Sequence, residues 1–77
     1  MDYDENKVDD AVLALLYLTM HDNGTRAWKG HDWDAMNRLH EKGYIADPRG
    51  KAKSVVITEQ GKVKAAELFR QLFGKSP

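Results

Sequence analysis

The chain has no cysteine, and this absence excludes several kinds of site at once. Disulfide bridges, zinc–thiolate centres and thiol nucleophiles all require a cysteine sulfur. The 77 residues leave room for one hydrophobic core, and a core of this size rarely supplies more than about 3–5 kcal/mol unless a partner shares it. We therefore expect a single domain over residues 1–77 that depends on close packing or on association.

A long hydrophobic run is also missing. The longest apolar stretch, residues 11–20, is interrupted by Thr19 and is about half the ~20 residues that span a bilayer. The first five residues, Met-Asp-Tyr-Asp-Glu, are acidic where a secretory signal starts basic. These features predict a cytoplasmic protein.

The charges show no excess of either sign, because twelve basic and twelve acidic side chains give a formal net charge of zero. A basic domain or a clear basic face is the usual mark of a nucleic-acid binder, so neutrality lowers that expectation. The charges are nevertheless unevenly spread, with an acidic stretch at residues 1–10 and a largely basic one at residues 38–53. A local basic surface is therefore compatible with the neutral total.

Hydrophobic periodicity predicts a first helix over residues 5–21, with Asn6 as its N-cap. Asn23-Gly24 is a typical stop signal. The connection at residues 22–31 contains two glycines and has room for a short strand at residues 25–28.

The second helix is predicted to begin after the N-cap Asp32 and to end at Lys42, with Trp33 on its inward side. Gly43 stands where a Schellman motif needs a left-handed residue, and this motif brings Leu39 close to the residue after the glycine. Both ends of this helix are therefore marked in the sequence.

A hairpin is predicted next, with strands at residues 44–46 and 54–57. The sequence between them, Asp47-Pro48-Arg49-Gly50, has the preferences of a type I turn. Thr58 is placed to cap a last helix with a wide apolar face. The predicted fold class is α+β and mainly helical, in the order α-α-β-β-α.

Two stretches of sequence resemble known families. The run Leu39-His-Glu-Lys-Gly-Tyr-Ile45, followed by Val55-Val-Ile-Thr-Glu-Gln-Gly61, resembles the second half of winged-helix proteins of the MarR and PadR type, over residues 32–73. This resemblance implies a recognition helix, a two-stranded β-hairpin wing and a helix used in dimerisation. Residues 22–31 are too few for the usual middle helix, so the helix-turn-helix is truncated. The Arg-Ala-Trp-Lys-Gly and Asp-Trp-Asp stretches are similar to a family of small bacterial proteins without an assigned activity.

The first functional hypothesis is a DNA-associated regulatory module. Asn37 and Arg38, on the expected outer side of the second helix, are residue types that bond to base edges. Arg49, Lys51 and Lys53 at the wing are expected to contact phosphates, which gives affinity without sequence information. A solvated, charged hairpin tip would explain the same three wing residues.

The same module is expected to form a homodimer. Leu13, Tyr17 and Met20 lie on the side of the first helix opposite its main apolar face, and exposed apolar patches usually mark association surfaces. Two-fold symmetric pairing is the commonest result. The alternative is that the last helix covers these side chains.

The second hypothesis is a protein-interaction module that does not bind nucleic acid. Arg26, Trp28 and Lys29 are its expected contact residues. Trp28 is either a packing anchor for the loop or an exposed contact of the kind that dominates protein interfaces.

Catalytic and metal-binding patterns have little support. The three histidines are not spaced four apart on one helix, the glycines are scattered singly, and neither serine lies in a nucleophile-elbow context. A domain of this size also has difficulty forming a pocket of about 300 Å³ or more. We expect no enzyme, metal, cofactor or small-molecule substrate.

Overall fold

A computed structural model describes residues 1–75 and contains three helices and a short antiparallel sheet. In chain order the elements are α1 (Glu5–Leu18), β1 (Arg26–Trp28), α2 (Trp33–Glu41), β2 (Ser54–Val56) and α3 (Glu59–Phe73). The predicted α+β, mainly helical class is confirmed. The predicted order is wrong in one respect, because a strand lies between the first two helices.

The strand β2 has a neighbour on each side. It pairs antiparallel with β1, which places Ala27 opposite Val55. On its other edge a single bridge joins Ile45 to Ile57, and the Ala46 N–H donates to the Val56 carbonyl at 2.9 Å. The predicted hairpin is therefore reduced to this bridge, and the main ladder is made with the segment that precedes α2.

The loop between Ala46 and Ser54 is held by a side chain rather than by a tight turn. Within residues 1–75, no backbone hydrogen bond closes the predicted type I turn at residues 47–50. Instead, the Lys29 Nζ donates to the carbonyls of Pro48 and Gly50 at 2.7 and 3.0 Å. This loop is thus attached to the segment that leaves β1.

Both ends of α1 differ from the prediction. Its N-cap is Asp4, whose carboxylate accepts from the N–H groups of Asn6 and Lys7 at 2.9 and 3.2 Å. The helix ends at Leu18, three residues earlier than predicted. The hydroxyl of the next residue, Thr19, accepts from the Trp28 N–H at 3.1 Å, which turns the chain into β1.

Both ends of α2 agree with the prediction. The Asp32 side chain accepts from the Ala35 N–H at 3.1 Å. Gly43 has a φ of 84°, and its N–H donates to the His40 carbonyl while the Tyr44 N–H donates to the Leu39 carbonyl. These two bonds form the Schellman motif, and the prediction is confirmed.

The core lies where α1 packs against α3 and α2, with the sheet at its edge. Leu13 is completely buried there, so the expectation that it lies on an exposed face is wrong. Neighbouring helices cover α1 on two sides, and Met20 also packs partly against the core. Tyr17 remains 41% exposed.

Trp33 is 58% exposed, and its predicted place in the core is wrong. The buried residues of α2 are Ala35, Met36 and Leu39. At about 100° per residue, Trp33 lies roughly 115° round the helix from the middle of this stripe. The first turn of α2 therefore presents an indole to solvent.

The start of α3 is fixed to the end of α2 by very close packing. The Thr58 hydroxyl accepts from the Gly61 N–H at 2.9 Å and donates to the Gly43 carbonyl at 2.7 Å. Gly61 is buried, and a Cβ at this position would clash with the Tyr44 carbonyl. Only glycine fits this junction without a shift of backbone.

We expect Gly61→Ala to lower the free energy of unfolding by about 1–3 kcal/mol, since the added methyl group forces a backbone shift in a packed region. Urea denaturation followed by circular dichroism measures the change. Gly50→Ala is the matched control, because a Cβ at Gly50 meets nothing within 4 Å. Equal stability of the two variants would contradict this account of the junction.

Candidate functional site

Arg38 lies in an ion pair with α1 rather than on an open surface. Its Nε donates to both carboxylate oxygens of Asp9 at 2.9 Å, and its Nη1 donates to Glu5 at 2.9 Å. The Lys42 Nζ adds a contact of 2.9 Å to the same Asp9 carboxylate. The expectation that Arg38 is free to reach base edges is therefore wrong, because carboxylates of α1 occupy its guanidinium.

Asp9 is fully buried between these two cations. Burial by itself raises the pKa of a carboxyl group, but the hydrogen bonds from Arg38 and Lys42 outweigh burial and hold the pKa of Asp9 below its usual value. The same contact raises the pKa of Arg38. The pair stays ionised at neutral pH and joins α1 to α2.

We expect Asp9→Asn to lower the free energy of unfolding at pH 7 by about 3 kcal/mol, because it removes the buried carboxylate that pairs with both Arg38 and Lys42. The folded-state pKa of Asp9 is lower than the unfolded one. The stabilisation is therefore complete above about pH 4 and is lost as the pH falls through the folded-state pKa. Urea denaturation at pH 7 and at about pH 2 should show a smaller gap between wild type and variant at the lower pH.

Asp47→Asn is the control for this experiment, since it removes an equally close but exposed ion pair with Arg49. We expect it to change stability very little. If Asp9→Asn behaved in the same way as this control, the buried pair would not hold α1 to α2.

Two of the predicted nucleic-acid contacts meet at a small hollow. Asn37 is exposed and lines it together with Arg49, beside His40 and Glu41, and the hollow has a volume of about 280 Å³. The Arg49 guanidinium bonds to both carboxylate oxygens of Asp47, at 3.0 and 2.8 Å. Hydrogen bonds from Arg49 keep the pKa of Asp47 low. The charge of Arg49 is therefore largely balanced within its own loop.

The other two predicted contacts, Lys51 and Lys53, line a groove at the end of the sheet where β1 and β2 separate. Residues 28–31 with Trp33 form one wall and residues 50–53 form the other, around a volume of about 310 Å³. Three lysines line it, and none of the residues described as lining it is acidic. We call this feature, residues 28–31, Trp33 and residues 50–53, the tryptophan–lysine groove.

Both tryptophans of the chain stand in this groove. Trp28 is 47% exposed and Trp33 is 58% exposed. The Trp28 indole lies so close to Gly30 that a Cβ at that position would clash with the ring. Trp28 is thus held against the backbone while almost half of it remains accessible. It is therefore both a packing anchor for the loop and an exposed side chain that a ligand can contact.

Arg26 and Lys29, the other predicted protein contacts, are engaged within the fold. The Arg26 guanidinium donates to the Ser54 hydroxyl at 2.7 Å and to the Ser54 carbonyl at 3.0 Å. Lys29 spans the groove to the loop carbonyls already described, and its N–H donates to the Lys53 carbonyl at 3.1 Å. Arg26 therefore joins β1 to β2. Lys29 joins the two walls of the groove and adds its positive charge to it.

His31 also lines the groove. Its Nε2 is buried and has no hydrogen-bond partner within the part of the chain that the structure describes. Burial lowers the pKa of His31, so its ring is neutral near pH 7. Among residues 1–75, no cluster of three or more histidine, aspartate or glutamate side chains is placed to hold a metal ion.

A second exposed surface lies at the carboxyl ends of α1 and α3. The Tyr17 and Phe69 ring centroids are 5.2 Å apart, and those of Phe69 and Phe73 are 5.4 Å apart. Phe73 and Leu72 are each about half exposed. We call Tyr17, Phe69, Leu72 and Phe73 the aromatic patch.

Sequence reasoning missed Trp33 as a surface residue, because a large apolar side chain at the start of a helix usually packs inward. The signal lay in the helix phase: Met36 and Leu39 set the buried stripe, and Trp33 is off it. Gly30 was a second signal, because a glycine two residues after Trp28 leaves space for an indole to lie on the backbone.

None of the helices within residues 1–75 has the length and apolar character needed to cross a membrane. This finding concerns helical spans alone.

Comparison with known proteins gives a family but no activity. The model of the family described as "Domain of unknown function (DUF6429)" matches residues 4–75. "Uncharacterized protein y4hR" of Sinorhizobium fredii (strain NBRC 101917 / NGR234) is 58% identical over 73 residues, which are 95% of this chain and 97% of that protein. No solved structure matches the chain. The predicted similarity to a small bacterial family is confirmed, whereas the winged-helix relationship stays a prediction.

Proposed function

We propose that this chain, which belongs to the family described as domain of unknown function DUF6429, is a small non-enzymatic module that binds nucleic acid through the tryptophan–lysine groove. One observation carries the proposal. In a chain with a formal net charge of zero, three lysines line one groove that has no acidic residue among those described as lining it. This is a local basic surface of the kind that binds phosphates.

The two charged nucleic-acid contacts predicted outside the groove, Arg38 and Arg49, are both ion-paired, which sets the groove lysines apart from them. Arg38 is paired with Asp9 and Glu5, Lys42 shares the Asp9 carboxylate, and Arg49 is paired with Asp47. Lys51 and Lys53 are exposed, and no ion pair within the described residues involves either one. Among the predicted nucleic-acid contacts, they are therefore the side chains best placed to replace counterions on a phosphate backbone.

We also propose a winged-helix-like arrangement. It is supported by β2, which lies between β1 and the bridge at Ile45, and by α2, which immediately precedes that bridge. The segment between α1 and α2 forms β1 instead of a further helix. The loop at residues 46–53 then corresponds to the wing, and its lysines face the groove rather than a free tip.

We expect a double Lys51→Ala and Lys53→Ala variant to bind nucleic acid more weakly and with a shallower salt dependence. Each lost phosphate contact should reduce the slope of log K against log salt by about one unit, so the expected change is about two units. Fluorescence anisotropy of a labelled duplex with a single-stranded overhang, titrated at several salt concentrations, measures the slope.

The matched control is the double variant Lys7→Ala and Lys75→Ala, which removes the same charge from positions outside the groove. It should lower affinity slightly and leave the slope nearly unchanged. No binding by wild type even at low salt, or an equal change of slope in both double variants, would remove this proposal.

A second candidate function is self-association, and the aromatic patch favours it. Leu72 and Phe73 are each about half exposed at the end of α3, and exposed apolar side chains grouped together usually mark an association surface. We propose a two-fold symmetric homodimer that buries Leu72 and Phe73.

We expect wild type to have twice the 8.8 kDa monomer mass in light scattering at about 50 μM, and Phe73→Glu to be monomeric because it buries a charge in the interface. Val63→Glu is the control, since Val63 is an exposed apolar residue of α3 outside the patch. A monomeric wild type at this concentration would overturn the dimer and leave the groove proposal unaffected.

A further inference from the structure

We infer that the tryptophan–lysine groove takes single-stranded nucleic acid, with unpaired bases stacked on Trp28 and Trp33 and phosphates beside Lys51 and Lys53. This inference rests on the proposed function and names its ligand more narrowly. It follows from the way in which the two indoles are presented.

The first observation is that Trp28 is both held and accessible. Its ring lies against the Gly30 backbone, and the main chain that carries it is held by the bond from the Trp28 backbone N–H to the Thr19 hydroxyl at 3.1 Å. An indole fixed in this way loses little conformational freedom when a flat ligand covers it. Trp28 is therefore a preformed stacking surface.

The second observation is that Trp33 stands on a rigid element beside it. The first turn of α2 is fixed by the Asp32 cap, and Trp33 is the more exposed of the two indoles. Trp33 is not part of the core cluster, whose members are all smaller side chains, so much of its indole is open to a ligand. Accessible aromatic rings with lysines between them are typical of surfaces that bind single-stranded nucleic acid.

The third observation concerns what can stack. In a duplex the flat faces of the bases are covered by their neighbours, so an indole reaches them only if a base is displaced, at a cost in unstacking energy. An unpaired strand offers free base faces and phosphates together. The groove contains a partner for each, namely the indoles for the bases and the lysines for the phosphates.

An acidic peptide fits this groove less well. Its carboxylates would pair with the lysines. Carboxylates do not stack on indoles, however, so an acidic peptide leaves the two half-exposed tryptophans without a role. Nucleic acid uses both features. A peptide is therefore retained only as an outcome of the experiment.

The test uses the tryptophans themselves, because the chain has only these two. All tryptophan emission therefore comes from the groove. We expect a 12-nucleotide single strand to quench this emission as its bases stack, and an abasic strand with the same number of phosphates to leave it nearly unchanged. The variants Trp28→Phe and Trp33→Phe report on each remaining indole separately.

Affinities measured by anisotropy give the second readout. The base-containing strand should bind about tenfold or more tightly than the abasic strand, and Trp33→Ala should remove about tenfold of that affinity while abasic binding stays unchanged. Trp33 is on the surface of α2, so this variant is expected to fold normally. Thermal unfolding of the variant is the measurement that checks this.

The outcomes separate the inference from the function on which it rests. If duplex and abasic strands bind as tightly as the base-containing strand, the groove binds phosphate chains without stacking, and the inference is wrong while the proposed function stands. If none of the three binds, both are wrong. If a poly-glutamate peptide binds more tightly than any strand and quenches both indoles, the ligand is an acidic peptide and the inference is again overturned.

Discussion

The contact on which the rest of this small fold depends is the buried carboxylate of Asp9 between Arg38 and Lys42. It joins the first half of α1 to the last turn of α2. Because the carboxylate is completely buried, the two cations have little freedom to move away from it. The orientation of α2 then determines where Trp33 stands, and so the ion pair at one end of the helix sets the geometry of the groove at the other.

A second constraint acts at the junction of α2 and α3. The Thr58 hydroxyl bonds to the Gly43 carbonyl, and Gly61 lies against the Tyr44 backbone. These contacts hold the start of α3 at a short distance from the end of α2. With α1 packed against both α2 and α3, the three helices form one frame around a shared core. The sheet and its two loops lie at the edge of this frame, where a binding surface can be open without loss of the core.

Features encoded by neighbouring residues could be predicted from the sequence. The Asp32 cap, the Schellman motif at Gly43 and the Thr58 cap each depend on residues within one or two turns, and the structure contains all three. Features that depend on distant residues could not be predicted in this way. Nothing local to Thr25–Trp28 indicates Ser54–Val56 as its partner, and a hairpin is the default because it closes the shortest loop. Local reasoning also placed Arg38 on a free surface, since the carboxylate that binds it is 29 residues away.

The candidate site was predicted in part for the same reason. Lys51, Lys53 and Trp28 were singled out by type and position, but their grouping with Trp33 follows from the β1–β2 pairing, which brings residues 28–33 beside residues 50–53. One side chain links these two segments directly. Lys29 places a single ammonium on two carbonyls of the opposite wall while it contributes positive charge to the groove. Acetylation of that one amine would therefore leave at most one N–H for these two carbonyls and remove one of the three lysine charges of the groove in a single chemical event.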